Sequence, residues 1–233
     1  MKKHFSPIIC IPLLLLCLSF KSKTPDQKYT SEFHLDKLTF SSTGSNPYFI
    51  LQPGYKEILI GKDGNDSVNL TITVLNETKM IGNIETRIVE ENEMHNGKPE
   101  EISRNFFAYC KETGAVFYFG EDVTLFDKNG NQIFGKDSWT AIGDNKPGMQ
   151  MPGEILIGAR YYQEQAPGVA MDRAEIISDD NSYTTPAGSF TNVLKTEETT
   201  PLEIGDKEYK LYAPGIGLIK DEGLLLTQYG YLK

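Results

Sequence analysis

Residues 63–74, DGNDSVNLTITV, decide the fold class. Asp63-Gly64-Asn65-Asp66 carries hairpin chemistry, since Gly and Asn accept the left-handed backbone that a tight two-residue turn requires. Behind the turn, Val68, Leu70, Ile72 and Val74 take one face while Asn69, Thr71 and Thr73 take the other. That period of two is what a half-buried antiparallel strand demands.

The same pattern extends outward in both directions. Upstream, Asn46-Pro47-Tyr48-Phe49-Ile50-Leu51 opens a domain, followed by a Pro53-Gly54 turn and a short strand over residues 56–60. Downstream, residues 83–93 form a strand with glutamates on its wet face, ending at the His95-Asn96-Gly97-Lys98-Pro99 turn cluster. Strands over 102–111 and 115–123 flank Thr113-Gly114, and 125–127 with 132–134 flank Lys128-Asn129-Gly130-Asn131. Sequential hairpins of this kind predict a mostly β chain with little helix, an antiparallel meander forming a barrel or half-barrel. No amphipathic stretch at the 3.6 period exceeds about two turns, and no fixed-period repeat suggests a propeller or solenoid.

Residues 147–175, PGMQMPGEILIGARYYQEQAPGVAMDRAE, concentrate glycines, prolines, aromatics and carboxylates. Ile155, Ile157, Ala159 and Tyr161 alternate with Gly158, Arg160, Tyr162 and Glu164, which predicts a strand that turns at Ala166-Pro167-Gly168 and returns over 174–177. Asp179-Asp180-Asn181 reads as a second turn. Strands over 189–197 and 208–213 follow, then a bend at Pro214-Gly215-Ile216-Gly217 and a closing hairpin around Asp221-Glu222-Gly223.

The first residues have the pattern of a targeting segment. Met1-Lys2-Lys3 is basic and residues 8–18 are an apolar run too short to span a bilayer, so 1–19 is expected to be a signal peptide. A lipid anchor at Cys17 is the alternative, with bulky Leu16 where lipoprotein signals usually carry a small residue. Residues 20–45 are expected to form a flexible polar arm, and 46–233 a single β domain. Export places the protein in the periplasm, associated with an outer membrane, or outside the cell.

Loss of Lys2 and Lys3 with the leader leaves 21 basic against 32 acidic residues, a charge of −11. Nucleic acid and anionic lipid both require clustered Lys and Arg, so neither is an expected partner. Cys110 is the one cysteine after residue 19, which excludes an intramolecular disulfide in the processed chain. The three histidines, His4, His34 and His95, offer no pair in the domain for zinc or for Ser-His chemistry.

A series of motifs carries a resemblance. Asn46-Pro47-Tyr48-Phe49 with Pro53-Gly54, Tyr118-Phe119-Gly120-Glu121-Asp122, Pro147-Gly148-Met149-Gln150-Met151-Pro152, Tyr162-Gln163-Glu164 with Pro167-Gly168-Val169-Ala170-Met171-Asp172, Pro186-Ala187-Gly188-Ser189-Phe190 and Tyr212-Ala213-Pro214-Gly215-Ile216-Gly217-Leu218 resemble those of a widespread family of uncharacterised exported bacterial proteins. The likeness covers roughly residues 46–220. It implies a curved antiparallel sheet similar to half-barrels of the periplasmic lipoprotein-carrier type, which enclose an apolar ligand. This chain departs from that type in having no long helix to serve as a lid.

Two groups of residues carry candidate chemistry. Tyr118, Trp139, Tyr161 and Tyr162 could line a ligand pocket or fill a core. Glu121, Asp122, Glu164, Asp172 and Glu197 sit near turns or strand ends, where convergent carboxylates suit Ca²⁺ or acid/base work, and scattered ones pair with Arg160 or Arg173. No motif calls for another cofactor. The leading expectation is a non-catalytic exported barrel binding a small apolar molecule or an envelope protein. A carboxylate-dependent hydrolase and an envelope adhesion module are the alternatives.

Overall fold

The computed structural model describes residues 28–135 and 137–232, so the expected signal peptide and Cys17 lie outside the described residues. After a single 3₁₀ turn at Leu35–Lys37 come β1 (Phe40–Ser41), β2 (Gly44–Asn46) and β3 (Phe49–Leu51). The long meander follows: β4 (Lys56–Asp63), β5 (Asp66–Ile81), β6 (Ile84–His95), β7 (Lys98–Cys110) and β8 (Val116–Phe126). Short strands come next: β9 (Gln132–Phe134), β10 (Trp139–Thr140), β11 (Lys146–Met151), β12 (Arg160–Tyr162) and β13 (Glu164–Gln165). The chain ends with β14 (Arg173–Thr185), β15 (Gly188–Thr199), β16 (Glu208–Ala213), β17 (Gly217–Asp221) and β18 (Leu224–Gly230).

Thirteen strands pair antiparallel in the order β12-β14-β15-β16-β17-β18-β4-β5-β6-β7-β8-β11-β13. The sheet nearly closes into a barrel with one unsealed seam. Its two ends, β12 and β13, are consecutive pieces of chain separated only by Gln163. At that point the amides of Gln163 and Glu164 both donate to the Asp172 carbonyl, at 2.7 and 3.1 Å. The chain thereby passes from one sheet edge to the other.

Residues 63–74 behave as their alternation requires. Asp63 pairs with Asp66 across the turn, and Val68, Leu70 and Val74 are buried. Two other expectations differ. Residues 155–159 form a loop with a turn at Ile157-Gly158, leaving Leu156 and Ile157 exposed, and extended pairing begins only at Arg160. Asp179-Asp180-Asn181 lies inside β14, and the reversal comes at Pro186-Ala187. Register shifts on both sides of Asn181 show the cause: these turn-forming residues are spent on irregular pairing within a long strand.

Two cores result. The inner one fills the barrel and includes Leu59, Leu70, Val89, Tyr118, Trp139, Tyr161, Ile176, Leu194 and Leu226. The outer one lies on the other face of β6, β7 and β8 and includes Ile88, Phe106, Cys110, Phe117 and Phe119. Phe33, Leu35, Leu38 and Phe40 pack over it, with Phe33 and Phe40 edge-on to Phe117. The described part of the expected polar arm, residues 28–45, is therefore bound to the barrel. Its apolar residues give it a face to bury, and Thr30 exchanges backbone bonds with Arg160 and Tyr162 alongside the seam.

The β2–β3 hairpin caps the apolar end of the barrel. Asn46 fastens it: Nδ2 donates to the Gly114 and Pro152 carbonyls at 2.9 and 2.8 Å, and Oδ1 accepts from the Tyr48 amide. Phe49 packs edge-on to Phe107, and the Gly215 amide donates to the Pro47 carbonyl.

Candidate functional site

Inward positions of β6, β7, β8, β13 and β16 surround a cleft of about 350 Å³ at the polar end of the barrel. Six carboxyl groups line it: Glu91, Glu101, Glu121, Asp137, Glu164 and Asp172. Among the described residues, Lys210 is the one cationic side chain on the lining. Ser103, Asn105, Gln150 and Gln163 add polar wall, and the stacked rings of Phe107 and Tyr118, 4.6 Å apart, form its aromatic floor. Val169 and Ala170, from the turn after Pro167-Gly168, lie at its margin.

A local irregularity chooses which carboxylate points in. Simple alternation from Tyr118 would put Asp122 on the same face and Glu121 outside. The β7–β8 register shifts between Asn105 and Phe107, and within the shift Gly120 has φ +125, a conformation costly for any residue with a Cβ. The bulge turns Glu121 inward. Asp122 instead lies on the outer surface, 2.7 Å from Lys79 Nζ.

The carboxyls are held short of their ordinary acidity. Burial raises Glu121 to about 8, and Glu91 adds repulsion. Burial likewise raises Glu91 to about 7 against the pull of Lys210. Glu164 is pushed well above the usual range by burial and by the nearby charges of Asp172 and Glu121. Asp172 and Glu101 are raised as well, again chiefly by burial. Burial alone would lower Lys210, but Asp221 and Glu198 outweigh it, and the ammonium lies 3.0 Å from Glu198 and 3.8 Å from Asp221.

At the apolar end, a cavity of about 70 Å³ adjoins the cleft through Glu91, Gln150 and Lys210. Tyr48, Phe49, Tyr55, Ile72, Val74, Val89 and Leu218 wall it. Glu57 intrudes here, raised to about 8 by burial and accepting a bond from the Leu218 amide. Gly217 makes room for it, since a Cβ there would lie 1.8 Å from Glu57 Oε1. The Tyr55 hydroxyl donates to the Ile216 carbonyl at 2.8 Å and holds the same bend.

The sequence candidates divide between these surroundings. Tyr118, Glu121, Glu164 and Asp172 meet in the cleft. Trp139 packs edge-on to Tyr118 behind the wall, its Nε1 without a hydrogen-bond partner. Tyr161 belongs to the inner core, and its buried hydroxyl also lacks a partner. Tyr162 faces the other way, toward Tyr29 of the N-terminal segment. Glu197 is taken up by Lys207 at 2.7 Å and the Tyr209 hydroxyl at 2.8 Å, outside the cleft. Glu175 is taken by Arg160 at 2.7 Å.

Sequence reasoning missed Glu91, Glu101 and Lys210. The glutamates of residues 83–93 were expected on a wet face, but Glu91 faces the lumen. Among the described residues, no three His, Cys, Asp or Glu side chains converge closely enough to hold a metal ion.

Fold and cleft together define an antiparallel β-barrel with an acidic lumen. No protein family, curated protein or solved structure matches the chain.

Proposed function

We propose that this protein is an exported, non-catalytic barrel that takes up a small molecule in its lumen. The observation that carries the reading is the cleft itself. A packed interior has few voids larger than a water molecule, whereas this one keeps about 350 Å³ at the polar end of its barrel. That volume lies at the small end of the range for ligand sites, about 300–1,000 Å³. Export rests on the leader pattern of residues 1–19 and on the resemblance to exported bacterial proteins.

Trp139 provides the assay, being the sole tryptophan and packed on Tyr118 of the cleft wall. A panel of amines, sugars and fatty acids is titrated while its emission and the melting temperature are followed. A saturable change in both with at least one class is the expected outcome. A flat response across the panel would remove the reading.

A carboxylate-dependent hydrolase is a second reading, favoured by Glu121 and Glu164, both pushed up by burial, lining one cleft with Asp172. It requires turnover of chromogenic glycosides that disappears in Glu164→Gln.

A further inference from the structure

The lining of the cleft is unbalanced in two independent ways. In charge, six ionisable carboxyl groups stand against one cation among the described residues, Lys210, whose ammonium is already engaged by Glu198 and Asp221. Burial keeps several of them protonated in the empty cleft, and an approaching ammonium favours their ionised form. In hydrogen bonding, the wall leaves one buried acceptor unmatched. The Tyr118 hydroxyl donates to Asn105 Oδ1, and Asn105 Nδ2 is directed to Ser103 Oγ. Gln163, 4% exposed, lines the cleft, gives its Nε2 to Glu198 and leaves Oε1 without a donor. A buried acceptor of this kind carries a desolvation cost that a ligand donor would remove.

The spatial spread of the charges narrows the ligand. A hard cation needs several oxygens at one point, about 2.3–2.6 Å from the ion for calcium. Here the carboxyls come from β6, β7, β8, β13 and the segment at Asp172, and no three of them close on a common centre among the described residues. Their partner must therefore carry several positive centres set apart from one another. Phe107 and Tyr118 offer an aromatic face on which methylene groups pack and an ammonium is attracted to the ring quadrupole. We propose that the lumen binds a linear aliphatic polyamine, its ammonium groups distributed among Glu91, Glu121, Glu164 and Asp172 and one N–H given to Gln163 Oε1. This identification rests on the lumen-binding reading above.

Calorimetry on the purified full chain tests it with matched probes: spermidine, 1,6-diaminohexane, 1,6-hexanediol, calcium chloride and the uncharged dye N-phenyl-1-naphthylamine. The expected result is saturable one-to-one binding of both amines and none of the diol. Affinity for spermidine should fall about tenfold in Glu164→Gln and in Glu121→Gln, each a loss of one charge-assisted contact. Asp122→Asn, on the outer surface, should bind as the wild type does, and circular dichroism checks that each isosteric variant is folded. Binding of the diol as tight as that of the diamine overturns the cationic ligand while keeping a lumen site. Binding of the dye without either amine does the same. Calcium binding that excludes spermidine replaces the polyamine with a metal. Silence from every probe overturns both this inference and the lumen-binding reading.

Discussion

The two ends of the lumen share walls from β6, β11 and β16, and β6 and β16 change what they turn inward between one end and the other. Along β6 the inward residue passes from Val89 to Glu91, and along β16 from Tyr212 to Lys210. Each change is one step of two residues, one repeat of the pleat. The apolar end keeps only a small cavity beneath the β2–β3 hairpin, whereas the acidic end is left as a larger cleft. A barrel interior can thus be core and site at once, because closure of the sheet fixes which residues face in and leaves their polarity free.

The largest break in this contrast should come at the apolar end. Gly217→Ala would drive a Cβ into the Glu57 carboxyl at a position with φ +116. A cost of about 3 kcal/mol or more is expected, lowering the melting temperature by about 10 °C in a thermal scan.

Acidity should act on both ends. Glu57 and Glu121 titrate near 8 and Glu91 near 7 in the folded chain, all raised by burial from the ordinary 4.5. The folded state holds protons that the unfolded chain releases, so their stabilisation is complete below about pH 4.5 and is lost as pH rises through 7 to 8. Glu112 acts oppositely: bonds from Thr39 hold it at about 2, and its contribution is lost only as pH falls from 4.5 toward 2. Melting temperature should therefore drop by about 5 °C or more between pH 5 and pH 9. Equal stability at both values would show that the lumen carboxyls ionise freely.

A smaller effect isolates the acidic end. Glu164→Gln removes repulsion from Asp172 and Glu121 and should raise the melting temperature of the unliganded protein at pH 8 by about 3 °C. Stability gained where ligand affinity is lost would mark the cleft as kept for binding rather than for folding. Asp122→Asn should have the smallest effect, about 0.5 kcal/mol or less, because its ion pair with Lys79 is exposed. Thermal scans of Glu121→Gln and Asp122→Asn side by side would measure the consequence of the Gly120 bulge.

These contrasts also mark what the sequence made legible. The alternation of Val68, Leu70 and Val74 and the chain of hairpins gave the antiparallel barrel, because one face of each strand is apolar. The acidic end hid from the same rule. A period of two separates inside from outside only where the inside is apolar, and a glutamate facing a polar lumen reads like one facing water. Glu91 was therefore expected on the wet face and Lys210 drew no attention. Glu121 and Asp122 were indistinguishable in sequence, since a bulge at one glycine decides between them. Glu164 and Asp172 were named, but their meeting with Glu121 depends on how β13 pairs with β11 beside the seam.

The N-terminal segment lying over the outer core has a further consequence. Phe40 pairs with Cys110 across β1 and β7, and the Lys111 amide donates to the Thr39 carbonyl, so Cys110 is fully enclosed beneath it. A thiol so enclosed reacts only when its cover lifts, and the rate of its modification becomes a clock for local opening. Slow labelling in the wild type and much faster labelling in Phe40→Ala, with the barrel still folded by circular dichroism, would time the detachment of one strap of chain independently of the unfolding of the sheet beneath it.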